Sequence, residues 1–372
     1  MKTRFARALR WVRHLVPFRS PNKNRILVFA TTAIGDSVMM SSCIRFLGDA
    51  GYEILLVASH SATTILGNHP SVKKIFPYRR GWFRALRLVW PLWKLNCKHA
   101  LVLHVSDSAA WMLASISAES EAFCGQWLDY KGRAFDIRWI DDSSALHVAE
   151  KHCLVASAAL SLGYNYELRN EIFNCSIEIQ SERCFESSRP LIGLVPGARN
   201  FYKCWPVENF LQLGTELENL GFSVVVFGTQ HESHLIEPLM NDLKQPFLFE
   251  GTLEDTFAAL RELACVVSND TGLMHVADAL NCPVVGLFSA TPAFQTRPLN
   301  IELSRVVHKP VTCFPSTEFR ITETMCYNKT CQNPVCMRQI EVSEVLDLVL
   351  ELTNKKRPSS TDVRSISLKS FD

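Results

Sequence analysis

The sequence predicts an α/β protein built from two Rossmann-like, doubly wound parallel-sheet domains that face each other across a cleft. Three observations carry this. Strand-length runs such as Arg25–Ala30 (RILVFA) and Glu53–Ala58 (EILLVA) are apolar throughout and alternate with stretches of helical periodicity, the pattern of strands covered on both faces. That series fades into a polar stretch at about 174–189 and begins again at Leu191. The length of 372 residues also exceeds what a single hydrophobic core usually fills.

In order, residues 1–22 read as a basic amphipathic helix. Phe5, Leu9, Val12 and Val16 recur at helical spacing among Arg4, Arg7, Arg10 and Arg13, and Pro17 and Ser20-Pro21-Asn22 end the pattern. A first domain is expected over 23–180. It holds strand Arg25–Ala30, the loop Thr31–Asp36, a helix from about Ser37 to Leu47, strand Glu53–Ala58, strand Ala100–Val105, helix Ser108–Ile116 and helix His152–Gly163, closed by Gly163. A second domain is expected over 190–340. Its elements are strand Leu191–Val195, helix Val207–Leu220, strand Ser223–Phe227, helix Thr256–Leu263, strand Cys265–Ser268, helix Leu273–Leu280 and strand Pro283–Phe288. A helix at 341–354 then precedes a Ser/Lys-rich tail, 355–372, expected to be disordered.

Composition narrows the function. Hydrophobic residues make up 47% and charged residues 20%, a globular balance. The net charge of +2 is unevenly spread: residues 1–25 hold eight bases and no acid, and the rest carries 31 bases against 37 acids. This excludes a whole-surface nucleic-acid binder and leaves local basic elements. Thirteen cysteines, an odd number in a chain able to build a core, fit a reducing cytosol. No cleavable signal is readable, and no run of 18 uncharged apolar residues exists to span a bilayer. The expected protein is soluble or rests on a membrane surface.

In doubly wound sheets ligands bind beyond the carboxyl ends of the strands, so three turns stand out. In Thr31-Thr32-Ala33-Ile34-Gly35-Asp36, Gly35 permits a tight turn. Asp36 reads either as a helix N-cap, worth about 1 kcal/mol, or as a general base facing the cleft. Pro196-Gly197-Ala198-Arg199-Asn200, running on to Lys203-Cys204-Trp205-Pro206, suits anion binding, or is a plain loop with exposed bases. Trp205-Pro206 reads as a packing anchor and helix start. In Ser268–His275 (SNDTGLMH), small residues leave the amides of Thr271, Gly272 and Leu273 free to face a phosphate, Asp270 holds the turn, and His275 sits on the first helical turn. A fourth, weaker feature is Gly228-Thr229-Gln230-His231-Glu232, where a carboxylate either accepts from ribose hydroxyls or is an ordinary acid at a helix start. The fingerprint G-x-G-x-x-G is absent, which disfavours a nicotinamide oxidoreductase.

Taken together and in this order, these turns resemble glycosyltransferase family 9, the lipopolysaccharide heptosyltransferases. The residues that carry the likeness are Thr32–Asp36, Asn68-His69-Pro70, Pro196-Gly197-Ala198 with Lys203 and Trp205-Pro206, Ser268–His275 and Pro283–Thr291 (PVVGLFSAT). The resemblance implies a GT-B fold and an inverting, metal-independent transfer of heptose from ADP-heptose to the inner core of lipopolysaccharide, with no cofactor and no metal site. It implies Asp36 as the general base and Lys203, with the amides of Thr271 and Gly272, as the neutraliser of the departing diphosphate. On the same template Thr32, Gly35, Gly197 and Arg199 contact substrates, Glu232 holds the ribose, and Asp270 and His275 shape the nucleotide pocket. Two features depart from the family pattern: Ala198–Lys203 is bulkier and poorer in hydroxyls, and the turn at Gly228–Glu232 lacks a second glycine. The alternatives are another sugar-nucleotide donor, epimerase chemistry, or a non-catalytic relative that binds a nucleotide or a membrane.

Lys73–Lys98 again holds eight bases and no acid, interleaved with Trp82, Phe83, Trp90 and Trp93. With residues 1–20 this makes two signals for an anionic inner-membrane surface and a lipid-linked acceptor, placing the protein on the cytoplasmic face, or else a solvated basic face over a Trp-rich core. Nucleic acid is not expected as a partner. Cys313, Cys326, Cys331 and Cys336 are spaced 13, 5 and 5 apart, a marginal fit to a structural metal site, which favours closer pairs.

Overall fold

The computed structural model describes residues 2–16, 20, 22–105, 107–125, 135–140, 146–173, 184–289, 292–309, 311, 313 and 331–354. Two six-stranded sheets, parallel throughout, form its two lobes. The first contains β1 (Asn22–Ala30), β2 (Glu53–Ala58), β3 (Val72–Pro77), β4 (Cys97–His104), β5 (Glu121–Gly125) and β6 (Arg138–Ile140), in the order β3-β2-β1-β4-β5-β6. The second contains β7 (Leu191–Val195), β8 (Ser223–Phe227), β9 (Phe247–Phe249), β10 (Leu263–Asn269), β11 (Val284–Phe288) and β12 (Ser304–His308), in the order β12-β11-β10-β7-β8-β9. Both orders are the same doubly wound one, read from opposite edges. Each therefore reverses direction between its first and fourth strands, β1/β4 and β7/β10, where such sheets open a crevice for ligands.

The helices of the first lobe are α1 (Lys2–Leu15), α2 (Ile34–Met39), α3 (Ser41–Asp49), α4 (His60–Leu66), α5 (Trp82–Trp93), α6 (Ser108–Ser117) and α7 (Val148–Leu160). Those of the second are α8 (Val207–Asn219), α9 (Ser233–Asp242), α10 (Leu253–Glu262), α11 (Gly272–Ala279), α12 (Ala293–Thr296), α13 (Val335–Arg338) and α14 (Val342–Asn354). The strands β2, β7, β10 and β11, together with residues 26–30 of β1 and 100–103 of β4, are almost wholly buried, as their apolar runs require. Trp111 on α6 and Trp205 before α8 are the largest fully buried side chains.

Several expectations are corrected. The helix expected over 37–47 begins at Ile34 and breaks at Met40 into α2 and α3, so Asp36 lies inside the first turn and Ala33, which has no side-chain cap, is the N-cap. The helix expected to close on Gly163 ends at Ser161, which takes the left-handed conformation itself (φ 55°). The helix expected from Thr256 begins earlier, at Leu253, because Thr252 and Asp255 form a reciprocal capping box. On α1 the buried face is Ala6, Leu9 and Arg13, while Phe5 and Val12 face solvent. The 174–183 part of the expected linker and the 355–372 tail lie outside the described residues.

The lobes meet through helices α2 and α11. Polar contacts flank that junction: Asn170 Nδ2 donates to Asp278 Oδ2 at 2.8 Å, and Thr64 Oγ1 donates to Glu254 Oε1 at 3.3 Å. His147 accepts from the Ala149 amide through Nδ1, which fixes the proton on Nε2, and Nε2 lies 2.9 Å from the Arg297 carbonyl oxygen.

Candidate active site

The crevice of the first sheet is bordered by the ends of β1 and β4. Thr32 Oγ1 donates to Asp36 Oδ2 at 2.7 Å, and His104 Nε2, at the end of β4, stands 3.9 Å from the same oxygen. Both side chains are about 30% exposed, at 30% for His104 and 29% for Asp36, so the carboxylate is held yet reachable. The Thr31 amide donates to the His104 carbonyl oxygen at 3.0 Å, which stitches the two strand ends together. His104 was not expected as a site residue. Its signal was a polar side chain ending the apolar run Ala100–Leu103, but its partner is 68 positions upstream and no local spacing links them.

The crevice of the second sheet is assembled around Asn269, fully buried at the end of β10. Its Nδ2 donates to the Pro196 carbonyl oxygen at 2.9 Å and its Oδ1 accepts from the Trp205 amide at 3.0 Å, so one amide side chain joins the turn after β7, the turn before α8 and the turn after β10. Trp205 is the packing anchor expected, wholly buried, edge-on to Phe210, with its indole N–H donating to the Ile340 carbonyl oxygen at 3.0 Å. Lys203 closes a short 3₁₀ turn (Phe201–Lys203) and its Nζ lies 2.6 Å from Asp270 Oδ2. The Asp270 side chain is only 7% exposed. The two expected site residues are therefore partners: Asp270 fixes the lysine beside the start of α11.

Thr271 is the N-cap of α11 with extended backbone (φ −134°, ψ 170°) and makes no side-chain cap. Its hydroxyl lies instead 3.2 Å from Ser268 Oγ. The first amides of a helix have no intrahelical acceptor, so α11 presents donors and the positive end of its dipole to the crevice. Gly35 of the first lobe sits directly against this turn: a Cβ there would lie 2.9 Å from His275 Cδ2 and 3.2 Å from Gly272 Cα. A Cβ on Gly272 would overlap Ile34 Cγ2.

His275 occupies the seam, 3% exposed, with Nδ1 having no partner among the described residues. Burial pushes its pKa down, while the carboxylates of Asp270, Asp278 and Asp36 pull it up and the Lys203 ammonium pushes it down. Gly35, the neighbour of Asp36, packs on the His275 ring and on Gly272, and Asp270, just before α11, holds Lys203, so turns from both lobes reach one seam.

Beside this seam lies a cavity of about 280 Å³. Gly197, Arg199, Glu232, Thr271 and Gly272 line it, with Thr229 and with Ile34 from the first lobe. Its other end is apolar, formed by Val195, Phe227, Phe249 and Leu273 beside Thr256. Thr32, Gly35, Asp36, Lys203, Asp270 and His275 do not line it. Glu232 departs from its expected role in one respect: Oε2 accepts from both the amide and the hydroxyl of Thr229 at 3.0 Å, completing a capping box for its own turn. Its Oε1 lies against Gly197, where a Cβ would displace it.

Asn68-His69-Pro70 forms the turn into β3, with His69 Nδ1 accepting from the Ser71 amide at 3.1 Å. Of the late cysteines, Cys331 and Cys336 are buried and Cys313 is exposed, while Cys326 lies outside the described residues. Among the described residues no three His, Cys, Asp or Glu side chains stand close enough to share a metal ion, and no helix is long and apolar enough to cross a membrane.

Comparison with known proteins agrees with this fold. Lipopolysaccharide heptosyltransferase 2 of Salmonella typhimurium is 36% identical over 128 residues, which is 32% of this chain and 37% of that protein. The matched stretch thus spans little more than a third of the relative's length. Among solved structures, a glycosyl transferase family 9 protein from Veillonella parvula superposes with a TM-score of 0.72 at 19% identity, covering 91% of this chain and 99% of that one. The ADP-heptose lipopolysaccharide heptosyltransferase II of Escherichia coli gives 0.68 at 20% identity, covering 88% and 98%. The model of Glycosyltransferase family 9 (heptosyltransferase) matches residues 101–325, more than half of the sequence. With two doubly wound lobes in the GT-B arrangement and its strand-end turns gathered at one junction, the chain belongs to glycosyltransferase family 9.

Proposed function

We propose that the protein is an inverting, metal-independent glycosyltransferase that moves heptose from ADP-heptose to the inner core of lipopolysaccharide. The observation that carries the proposal is the convergence on His275: a reachable carboxylate from one lobe and a lysine with a helix N-terminus from the other. In the reaction Asp36 takes the proton of the acceptor hydroxyl as its oxygen bonds to the anomeric carbon. The bond from that carbon to the diphosphate oxygen breaks, and ADP leaves with the electron pair. The growing charge on the diphosphate is met by Lys203 and the amides of Thr271 and Gly272, groups fixed before the reaction begins. Attack from the face opposite the leaving group inverts the anomeric centre.

The cavity supports the donor reading. Its apolar end, walled by Phe227 and Phe249, suits a flat base, and its polar end at Gly197, Thr229 and Glu232 suits a ribose. At about 280 Å³ it falls just short of the roughly 300–1,000 Å³ of small-molecule sites, so it takes the nucleoside and leaves the sugar in the groove toward Asp36. The names of the Salmonella and Escherichia coli relatives supply the substrate class. A lipid-linked acceptor places the reaction at the inner face of the inner membrane.

The test is ADP release from ADP-heptose with core-truncated lipopolysaccharide, in EDTA, alongside UDP- and GDP-sugars, with the product anomer read by NMR. Turnover with the ADP-sugar alone and an inverted product is expected. Turnover only with another nucleotide, only with added metal, or with retention would overturn the assignment.

A further inference from the structure

The two basic, aromatic segments converge on one face. Helices α1 and α5 both pack on α6, which is buried from Ala109 to Ser117, and together they form the outermost layer on that side of the first sheet. The α1 helix is no loose tether. The Arg7 guanidinium bonds to both carboxylate oxygens of Asp136 at 2.8 and 2.9 Å, Arg10 donates to the Ser120 carbonyl oxygen at 2.6 Å, and buried Arg13 donates to Asn96 Oδ1 at 3.0 Å. With Ala6 and Leu9 packed inward, the opposite side presents Phe5, Trp11, Val12 and Leu15 to solvent, Trp11 at 65% exposure. On α5, Ala85, Val89, Leu92 and Trp93 face in, while Phe83 (85% exposed), Leu86 and Trp90 face out.

Seven of the large apolar side chains exposed among the described residues therefore stand on two helices that share one support. They are interspersed with exposed Arg4, Arg84, Arg87 and Lys94, whose Nζ stands 5.3 Å from the centre of the Trp90 ring. Neither segment 1–25 nor 73–98 contains an acid. Apolar side chains this exposed suit a partner that buries them, and the excess of positive charge around them selects a negative one. Aromatic rings flanked by Arg and Lys match the headgroup boundary of a bilayer.

We infer that the outer face of α1 and α5 is a docking surface for an anionic lipid bilayer, with Trp11, Phe83 and Trp90 inserting and Arg84 and Arg87 meeting the headgroups. Two inserting helices give the two signals that lasting attachment requires. The face also has a useful position. Gly81, just before α5, donates its amide to Asp107 Oδ2 at 3.3 Å, and Tyr78 donates its hydroxyl to Asp107 Oδ1 at 2.6 Å. These bonds fix the first turn of α5, with Phe83, at the carboxyl ends of β3 and β4, the edge that also carries His104 and Asp36. Arg10 and Arg13 tie α1 to Ser120 and Asn96, just before β5 and β4, so only the α5 end of the face reaches that edge. There the bilayer meets the crevice where an acceptor anchored in it must arrive, a consequence that, unlike the docking itself, rests on the proposed transferase activity.

The test uses the full chain and vesicles of phosphatidylglycerol with phosphatidylethanolamine, against vesicles of phosphatidylcholine alone. The protein is expected to float with the anionic vesicles and not with the neutral ones, and to be released roughly tenfold or more by high salt. Quenching of tryptophan emission by brominated acyl chains is expected as well. The variant Trp11→Ser/Phe83→Ser/Trp90→Ser, altered only at exposed positions, should lose flotation and quenching while keeping its circular dichroism spectrum. Arg84→Gln/Arg87→Gln should weaken flotation and flatten its salt dependence. Equal flotation by the triple variant, no flotation by the wild type, or a lipid-free dimer by light scattering that the triple variant abolishes would overturn the inference, the last by assigning the face to a second copy. Release of ADP with a deacylated, water-soluble acceptor should be unchanged in the triple variant, so the failure of docking and the failure of transfer are read separately.

Discussion

Gly35 and Gly272 face one another across the two lobes at a separation that admits no side chain on either. The first opens toward His275 and the Gly272 Cα, the second toward Ile34 and the Gly35 amide. Neither glycine has a positive φ, so both are required by close approach and not by backbone conformation. The contact sets how far Asp36 stands from the start of α11.

Substituting either glycine should therefore separate the groups that act together. Gly272→Ala is expected to destabilise the protein by about 1–3 kcal/mol, the usual cost of overpacking, and to lower kcat/KM by more than tenfold. Gly163→Ala, where a Cβ would meet open space, serves as the neutral control. Denaturant unfolding and steady-state kinetics of the three proteins check this.

The Lys203–Asp270 pair gives a second prediction. Its members are 22% and 7% exposed, and removing one partner of a buried pair typically costs ~3–5 kcal/mol. Here the loss is expected toward the lower end, since the lysine retains some solvent. Lys203→Met should also lower the rate by on the order of 10²–10³, as loss of a charge-stabilising group does. Asp270→Asn should weaken donor binding by freeing the lysine to wander. A double-mutant cycle should show strong coupling in stability; additive effects would mean that the pair does not act as a unit.

Acid should loosen the lobes through His147. Burial holds its pKa down to about 4, against an ordinary value of 6.5, and the hydrogen bond to the Arg297 carbonyl oxygen only partly offsets it. The unfolded chain binds this proton first as pH falls. The stabilisation is thus complete above about 6.5, shrinks as pH falls from 6.5 to 4, and amounts in full to about 3 kcal/mol at 1.36 kcal/mol per unit. Buried His275 and His152, whose pKa values are also pushed down by burial, add to the same acid limb. Stability of His147→Asn measured between pH 7 and 4 should be lower at neutral pH and flatter toward acid; an unchanged slope would remove His147 from the account.

The parts of the fold legible in the sequence were those whose burial left no choice. β1 over 26–30, β2, β7 and β10 are covered on both faces, so apart from polar strand ends they are apolar runs and announce themselves. β3 (VKKIFP) lies at a sheet edge with Lys73 and Lys74 exposed, and β9 has only three residues, so neither shows a pattern. α5 carries Pro91 inside it and bases all around it, which hid its periodicity behind its charge. The turns of the site were legible because each joins an apolar strand to a helix through small residues. What joins the turns to one another was not: Asn269 and His104 act through partners that only the folded sheet brings near. Glu232 shows the reverse case. Read from sequence as a ribose contact or an ordinary acid at a helix start, it forms a capping box with Thr229, three positions before it.

The account rests most directly on Asp36 as the base at the lobe junction, and Asp36→Asn tests it while keeping the side chain's shape and its bond to Thr32. Donor binding by calorimetry should stay within about twofold of wild type, while ADP release with acceptor present should fall by roughly 10²–10⁴, the range for loss of a general base. Wild-type turnover by Asp36→Asn would contradict it.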